Sequence, residues 1–384
     1  MIPYGRQNIT EDDIQAVVDV LKSDFLTQGP KVPEFEKVLS DYVGAKFAVA
    51  ANSATSSLHV ACLALGLGPG DWMWTTPVSF VASANCGVYC GAKIDFVDID
   101  PFTNNLSVSA LEAKLQKAEA EHCLPKILIA VHLSGLSCDM RALHHLSKQY
   151  GFKIIEDASH AIGGSYENQK IGSCQYSDVA IFSFHPVKIV TTAEGGVGVT
   201  NNEKIAQKMR LLCSHGVTRD PELMTKEPDG SWYYQQVCLG FNYRMTELQA
   251  ALGISQMNRI DAFVERRHLL ARRYSELLED LPVSITPMPE NSRSGLHLYI
   301  IRLQLNNIQH SHRDVFESLR MKNIGVNLHY IPIHLQPYYR DKGFKEGDFP
   351  EAEKYYGEAL SLPMFPDLTF EQQDQVIAAL RSLI

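Results

Sequence analysis

Lys188 occupies an odd place for a lysine, among Val187, Ile189 and Val190 in the stretch Ile181 to Gly196, IFSFHPVKIVTTAEGG. Glu194 is the only other charged residue in that window. An ammonium set among apolar side chains loses hydration, its pKa falls, and the neutral amine becomes a nucleophile that forms Schiff bases. Most lysines are solvated surface groups, so this window needs support from elsewhere in the chain.

Two other segments supply it. Ala51 to Ser57, ANSATSS, sets small and hydroxylated residues between a strand and a helix, where free backbone amides bind phosphate. Taken alone, the same residues read as ordinary helix capping. Glu156 to His160, EDASH, puts acids at the end of an apolar strand (Phe152, Ile154, Ile155), and a carboxylate there can hold a proton on a ring nitrogen. Ser183, five residues before Lys188, adds a hydroxyl for the same anion. A phosphate cradle, an aromatic (Phe80), a carboxylate (Glu156 or Asp157) and an amine (Lys188), in that chain order, are what pyridoxal 5'-phosphate asks of a protein. A nicotinamide site does not fit: the glycine run Gly66 to Gly70 follows a helix instead of opening one.

These residues need strands and helices to position them. Thr10 followed by Glu11, Asp12 and Asp13 predicts a helix start, and a second helix is expected to stop at Gly44. From Lys46 short apolar strands alternate with helices: strands over 47–51, 72–75, 94–99, 127–131 and 152–156, helices over 54–65, 79–90, 110–121 and 140–150. Such alternation predicts an α/β fold with a mostly parallel sheet between helices, ligands sitting at the carboxyl ends of the strands. Gly195 to Thr200 is expected to complete the sheet, and 215–241 reads as a long polar loop. A long helical pattern from Thr246 to Leu278 breaks once near Ile260. Beyond it come a strand at 298–303, a helix at 313–321, a strand at 325–328 and a helix at 351–360, a small α+β arrangement closed by a helix from Phe370. The expected division is 1–245 as a large cofactor-binding domain with the N-terminal helices, and 246–384 as the connecting helix and a small α+β domain.

Composition narrows the function. The 384 residues are 45% apolar and 21% charged, with 44 acidic against 35 basic residues and a formal charge of -9. That balance argues against nucleic-acid or anionic-membrane partners. The first residues show no basic-then-apolar leader, and no apolar run of about 18 residues occurs, so a cytoplasmic protein is expected. The eight cysteines form no CxxC pair and read as small core hydrophobes. The fourteen histidines show no metal-ligand spacing, and no metal is expected.

The motifs taken together resemble a known family. LTQGP near Thr27, NSATSSLH at Asn52, TTPVSFVASAN at Thr75, FVDID at Phe96, EDASHAIGG at Glu156, FSFHPVKIVTTAEGG at Phe182, SHGVTRD at Ser214, GFNYRMTELQAALG at Gly240, HYIPIHLQPYY at His329 and SLPMFPD at Ser361 cover nearly the whole chain. They resemble the DegT/DnrJ/EryC/StrS sugar-nucleotide aminotransferases, which have the aspartate aminotransferase fold (type I) of pyridoxal-phosphate enzymes. The resemblance implies Lys188 as Schiff-base lysine and proton shuttle, Asp157 on the pyridine nitrogen and His160 near the ring hydroxyl. It further implies Phe80 stacked on the ring, Ala54, Thr55 and Ser183 at the phosphate, and Asn242 reaching the phosphate from a second subunit, hence a homodimer with shared sites.

Within the family the wording is most similar to members that move an amino group from L-glutamate to carbon four of a UDP-linked 2-acetamido-2,6-dideoxy-hexos-4-ulose on the way to pseudaminic acid. That implies a UDP-sugar contact with Tyr4, Asp24, Phe25, Leu26, Thr27, Leu328, His329, Tyr330 and Ile331, besides Ala54, Ser183 and Asn242. The alternatives are the same transamination on another nucleotide 4-keto sugar, of the GDP-perosamine or UDP-4-amino-4-deoxy-arabinose type, a sugar dehydratase on the same scaffold, or a non-catalytic relative. Dehydratase relatives resemble this chain with histidine at the lysine position. A non-catalytic relative is expected to lose Lys188 or Asp157.

Overall fold

A computed structural model describes residues 1–384. The N-terminal helices are α1 (Glu11–Leu21), opened by the Thr10 amide donating to the Asp13 carboxylate at 2.9 Å, and α2 (Lys31–Val43), ended by Gly44 at φ 79°. The alternating region then forms β1 (Phe47–Ala51), α3 (Ala54–Ala64), β2 (Trp72–Thr75), α4 (Ala82–Tyr89), β3 (Lys93–Phe96), α5 (Val108–Ala120), β4 (Ile127–Val131), α6 (Met140–Tyr150) and β5 (Lys153–Asp157). A short hairpin, β6 (Ser165–Tyr166) with β7 (Gln169–Lys170), precedes β8 (Val179–Ser183), β9 (Gly196–Thr200) and α7 (Glu203–Cys213).

The main sheet has the order β1-β9-β8-β5-β4-β2-β3. β9 alone runs against its neighbours, antiparallel to both β1 and β8, and it sits inside the sheet. Both faces are covered, as the near-continuous apolar strands require. Along β4, Ile127, Ile129 and Val131 pack into one core with α3 and α4, while Leu128 and Ala130 pack into another with α5 and α6. Ala180 and Phe182 of β8 meet α2 in a third core.

The expected loop at 215–241 carries a two-stranded ribbon, β10 (Val217–Thr218) with β11 (Gln235–Gln236), and stays mostly exposed. The long helical pattern breaks where expected, into α8 (Glu247–Met257), which joins the third core, and α9 (Ile260–Leu277). The remainder is β12 (Val283–Ile285), β13 (Ser292–Arg293), β14 (Tyr299–Leu303), α10 (His312–Met321), α11 (Pro337–Arg340), α12 (Pro350–Glu358), β15 (Ala359–Leu362) and α13 (Phe370–Arg381). A second sheet, β12-β14-β15, packs with Leu270, Leu319, Val376 and Leu380.

Two expectations for this last part need correction. Residues 325–328 form no strand. The Gly325 amide donates to the carbonyl of Ile2 at 2.7 Å and Asn327 bridges Ser361, single contacts that dock the N-terminus without a ladder. The helix expected to run to Leu360 ends at Glu358, and Ala359 to Leu362, buried throughout, pair with β14 instead. An apolar run buried on both faces satisfies its backbone better as a strand than as a helix end beside Pro363. Six of the cysteines are buried as expected, but Cys123 is half-buried and Cys238, beyond the ribbon, is exposed.

Candidate active site

The ends of β4, β5 and β8 and the start of α3 meet at a cavity of about 1040 Å³ lined by 25 residues. Lys188 lies in its wall, on the turn joining β8 to β9. The apolar neighbours that make the lysine conspicuous in sequence anchor the turn: Ile189 and Val190 are buried in the core, while Val187 lines the cavity. The turn is pinned further by the Thr192 amide donating to the Phe184 carbonyl at 2.9 Å and by the Thr191 hydroxyl donating to the same carbonyl at 3.2 Å. Burial lowers the Lys188 pKa to about 8 against the opposing pull of Asp157. Roughly a tenth to a fifth of the amine is therefore neutral near physiological pH, against about a thousandth or less for an ordinary lysine.

Ser53 caps α3, its hydroxyl accepting from the Ser56 amide at 3.1 Å. The amides of Ala54 and Thr55, first in the helix, make no backbone hydrogen bond and face the cavity region. Gly196 of β9 makes this approach possible: a β-carbon there would lie 2.3 Å from the Ala54 nitrogen and 2.4 Å from the Ser53 carbonyl carbon. Ser183, the last residue of β8, lines the same cavity.

Asp157 ends β5 and is 7% exposed. One carboxylate oxygen accepts from the Ser83 hydroxyl at 2.6 Å, and the other from the hydroxyl and amide of Ser159 at 2.6 and 3.2 Å. Ser83 in turn shares a 2.7 Å hydrogen bond with Ser79, so the segment that presents Phe80 also orients the carboxylate. Phe80 is 58% exposed at the cavity, 6.3 Å between ring centroids from Tyr330.

His160 is tied at both nitrogens, Nδ1 accepting from the Ser134 amide at 3.2 Å and Nε2 donating to the Tyr330 hydroxyl at 3.0 Å. Burial and the charge of Lys188 hold it neutral, well below the usual histidine range. The hydroxyl of Tyr330 keeps its own proton for a further acceptor, burial pushing its pKa up. His329 accepts from the Asn327 amide at 3.3 Å and donates to Ser361 at 2.8 Å, and burial lowers its pKa to about 3. Tyr4 lies beside it, ring centroids 5.3 Å apart.

The cavity thus brings together Tyr4, Ala54, Thr55, Phe80, Asp157, His160, Ser183, Lys188, Leu328, His329 and Tyr330. It does not include Asp24, Phe25, Leu26, Thr27, Asn242 or Ile331, which are exposed outside its lining. The 24–27 segment rests against α8, the Glu247 amide donating to the Leu26 carbonyl at 3.0 Å, and Asn242 lies next to Tyr243, whose carbonyl accepts from the Asn52 amide at 2.7 Å. Sequence reasoning missed Ser83, His297, Asn327, Glu194 and Gln249. The spacing of Ser79 and Ser83 on either side of Phe80 was a usable signal; His297 had none, since it arrives on a connecting segment. No group of three or more histidine, cysteine, aspartate or glutamate side chains gathers as metal ligands, and no helix is long and apolar enough to cross a membrane.

The arrangement offers a phosphate two free amides at a helix N-terminus, a protonated ring nitrogen an oriented carboxylate, and an aldehyde a part-neutral amine. The model of the DegT/DnrJ/EryC1/StrS aminotransferase family matches residues 7–381. The spore coat polysaccharide biosynthesis protein SpsC of Bacillus subtilis is 38% identical over 100% of this chain and 97% of its own length. The UDP-4-amino-4,6-dideoxy-N-acetyl-β-L-altrosamine transaminase of Campylobacter jejuni is 37% identical over 100% of this chain and 98% of its own. Among solved structures, Helicobacter pylori PseC, an aminotransferase involved in the biosynthesis of pseudoaminic acid, superposes with a TM-score of 0.90 at 30% identity over 99% of this chain and 98% of that one. The sugar aminotransferase Spr1654 of Streptococcus pneumoniae in its PLP form gives 0.88 at 29% identity, over 99% and 98%. The chain belongs to the DegT/DnrJ/EryC1/StrS aminotransferase family.

Proposed function

We propose that this aminotransferase moves the amino group of L-glutamate to carbon four of a UDP-linked 2-acetamido-2,6-dideoxy-hexos-4-ulose, giving UDP-4-amino-4,6-dideoxy-N-acetyl-β-L-altrosamine and 2-oxoglutarate. The observation that carries the chemistry is Lys188, held by a pinned turn with its pKa near 8, in one cavity with the free amides of α3 and with Asp157. The C. jejuni transaminase and H. pylori PseC support the choice of sugar.

Pyridoxal 5'-phosphate is the cofactor, and when bound it supplies the carbonyl that carries the amino group and a ring that accepts the electrons of a broken Cα–H bond. Ala54 and Thr55, through their amides, and Ser183, through its hydroxyl, hold the phosphate. Asp157, braced by Ser83 and Ser159, keeps the ring nitrogen protonated, and Phe80 covers the ring. Lys188 Nζ takes the α-proton of L-glutamate, which gives up its amino group to the cofactor, gains its keto oxygen from water and leaves as 2-oxoglutarate. In the second half of the cycle Lys188 delivers a proton to carbon four of the sugar, whose ketone oxygen departs as water. The depressed pKa suits both duties, because an amine titrating near 8 is a competent base and its ammonium a competent acid.

Tyr4, Leu328, His329 and Tyr330 line the side of the cavity where the sugar nucleotide enters. Asp24 to Thr27, Ile331 and Asn242 are exposed outside the lining, which supports a homodimer in which such segments complete the neighbouring site, Asn242 of the second subunit reaching the phosphate. The test is a half-reaction. The enzyme is first converted by L-glutamate, then mixed separately with UDP- and GDP-linked 4-keto sugars while the cofactor absorbance is followed. Recovery with the UDP-linked 2-acetamido-2,6-dideoxy sugar of L-arabino configuration is expected. Recovery only with another sugar overturns the substrate, and no change with L-glutamate overturns the donor.

A further inference from the structure

His297 is 4% exposed in the wall of the cavity, and neither of its ring nitrogens has a hydrogen-bond partner in the protein. The other two buried histidines of that wall are fully used, His160 by Ser134 and Tyr330, His329 by Asn327 and Ser361. Buried polar groups are normally paired, so an imidazole left free at a cavity points to a ligand atom. Its Nδ1 is sealed within the protein, which leaves Nε2 as the nitrogen that reaches the cavity.

The proton is placed by what lies on the protein side. Arg267, 1% exposed, donates from Nη1 to the carbonyls of Leu296, His297 and Met364, each at 3.1 Å, and no carboxylate neutralises it. A sealed lone pair is tolerated better than a sealed N–H, so the buried Nδ1 is the unprotonated nitrogen, and the Arg267 charge close to the ring works against a second proton. The cavity therefore meets an Nε2–H. Burial and the charge of Lys188 hold the ring well below the usual histidine range, so it stays neutral. Among the cavity-lining residues Lys188 is the only lysine or arginine, against the carboxylates of Asp157 and Glu194. An anion bound beside Lys188 must look to neutral donors.

We propose that His297 donates a hydrogen bond from Nε2 to an oxygen anion bound beside Lys188. This rests on the aminotransferase reading above, which supplies two such oxygens: the ring oxygen of the cofactor and the carboxylate of the amino donor. Wild-type holoenzyme, His297→Phe and His297→Gln distinguish them. If the ring oxygen is the partner, His297→Phe raises the pH midpoint of the cofactor absorbance by about one unit, and His297→Gln, which restores an N–H, stays near wild type. If the carboxylate is the partner, the midpoint holds and the L-glutamate concentration for half-maximal single-turnover conversion rises about tenfold or more in His297→Phe, with recovery in His297→Gln.

No shift in either quantity, or equal damage in both variants, overturns the proposal. The ¹⁵N shifts of His297 in wild-type holoenzyme need no variant: they must report the neutral Nε2–H tautomer, and an Nδ1–H or imidazolium signal also overturns it. A wild type inert to L-glutamate breaks the donor assignment alone, since the absorbance midpoint and the tautomer still decide His297.

Discussion

In the wall that carries Ala54, Asp157, Ser183 and Lys188, Asp157 and Ser183 end strands, Ala54 opens α3 just beyond β1, and Lys188 sits on the short turn after β8, so each is held by a ladder or by an element a few residues from one. The wall of Tyr4, His297, Asn327, His329 and Tyr330 lies outside every strand and comes from three distant segments: 327–330 is tied by side-chain hydrogen bonds to Ser361 and His160 and packs against the Tyr4 ring, while the His297 ring has no partner in the protein. The first wall is rigid by local construction. The second depends on each of its members and is the natural place for substrate choice to vary while the chemistry stays fixed.

The largest expected effect lies on the first wall. Lys188→Ala should lower transamination by about 10³-fold or more while cofactor still binds noncovalently, as read from single-turnover conversion by L-glutamate and from the spectrum of the purified protein. Normal turnover in that variant would end the assignment. Next is Gly196→Val, whose side chain has no room against the backbone of Ser53 and Ala54. It should cost about 1–3 kcal/mol in thermal or urea unfolding and weaken cofactor retention.

A pH effect comes third. The folded Lys188 amine titrates near 8 against an ordinary 10.5, so between those values the unfolded chain holds more protons and cofactor-free enzyme gains stability as pH rises. The penalty is complete below about 8. A gain of roughly 1–2 kcal/mol is expected, reduced from the full shift because the amine faces the cavity, and it should vanish in Lys188→Met. The smallest effect belongs to the second wall. Tyr330→Phe leaves the Nε2–H of His160 without its acceptor, a loss of about 1 kcal/mol in unfolding free energy, and should impair the sugar half-reaction more than the glutamate half-reaction. Equal impairment of both would dissolve the distinction between the walls.

What could be read in the sequence follows the same division. Lys188, Asp157 and the Asn52 to Ser57 segment are conspicuous because chemistry-bearing residues interrupt strong strand and helix patterns locally. The parallel sheet was legible for the same reason. The direction of β9 was not, since periodicity carries no orientation, and the first two residues of β15 read as helix because AL after a helical run gives no local stop before Pro363. His297 and Asn327 reach the cavity only through tertiary packing, and Ser83 was overlooked beside Phe80. The exposure of Asp24 to Thr27 belongs to no pattern within one chain.

The insertion of β9 between β1 and β8 also bears on how the enzyme is made. β1 is an edge strand whose sole neighbour is β9, Phe47 pairing with Thr200 and Ala51 with Gly196. A ribosome adding about 5–20 residues per second leaves β1 and the helix behind it without that support until β9 has emerged. During this interval an apolar edge is exposed to other nascent chains, a hazard of non-local pairing. The start of α3 and the turn that carries Lys188 are both braced by the same late strand, so a chain stalled before Gly196 carries most of the large sheet and most of the cavity's residues without the strand that holds them together.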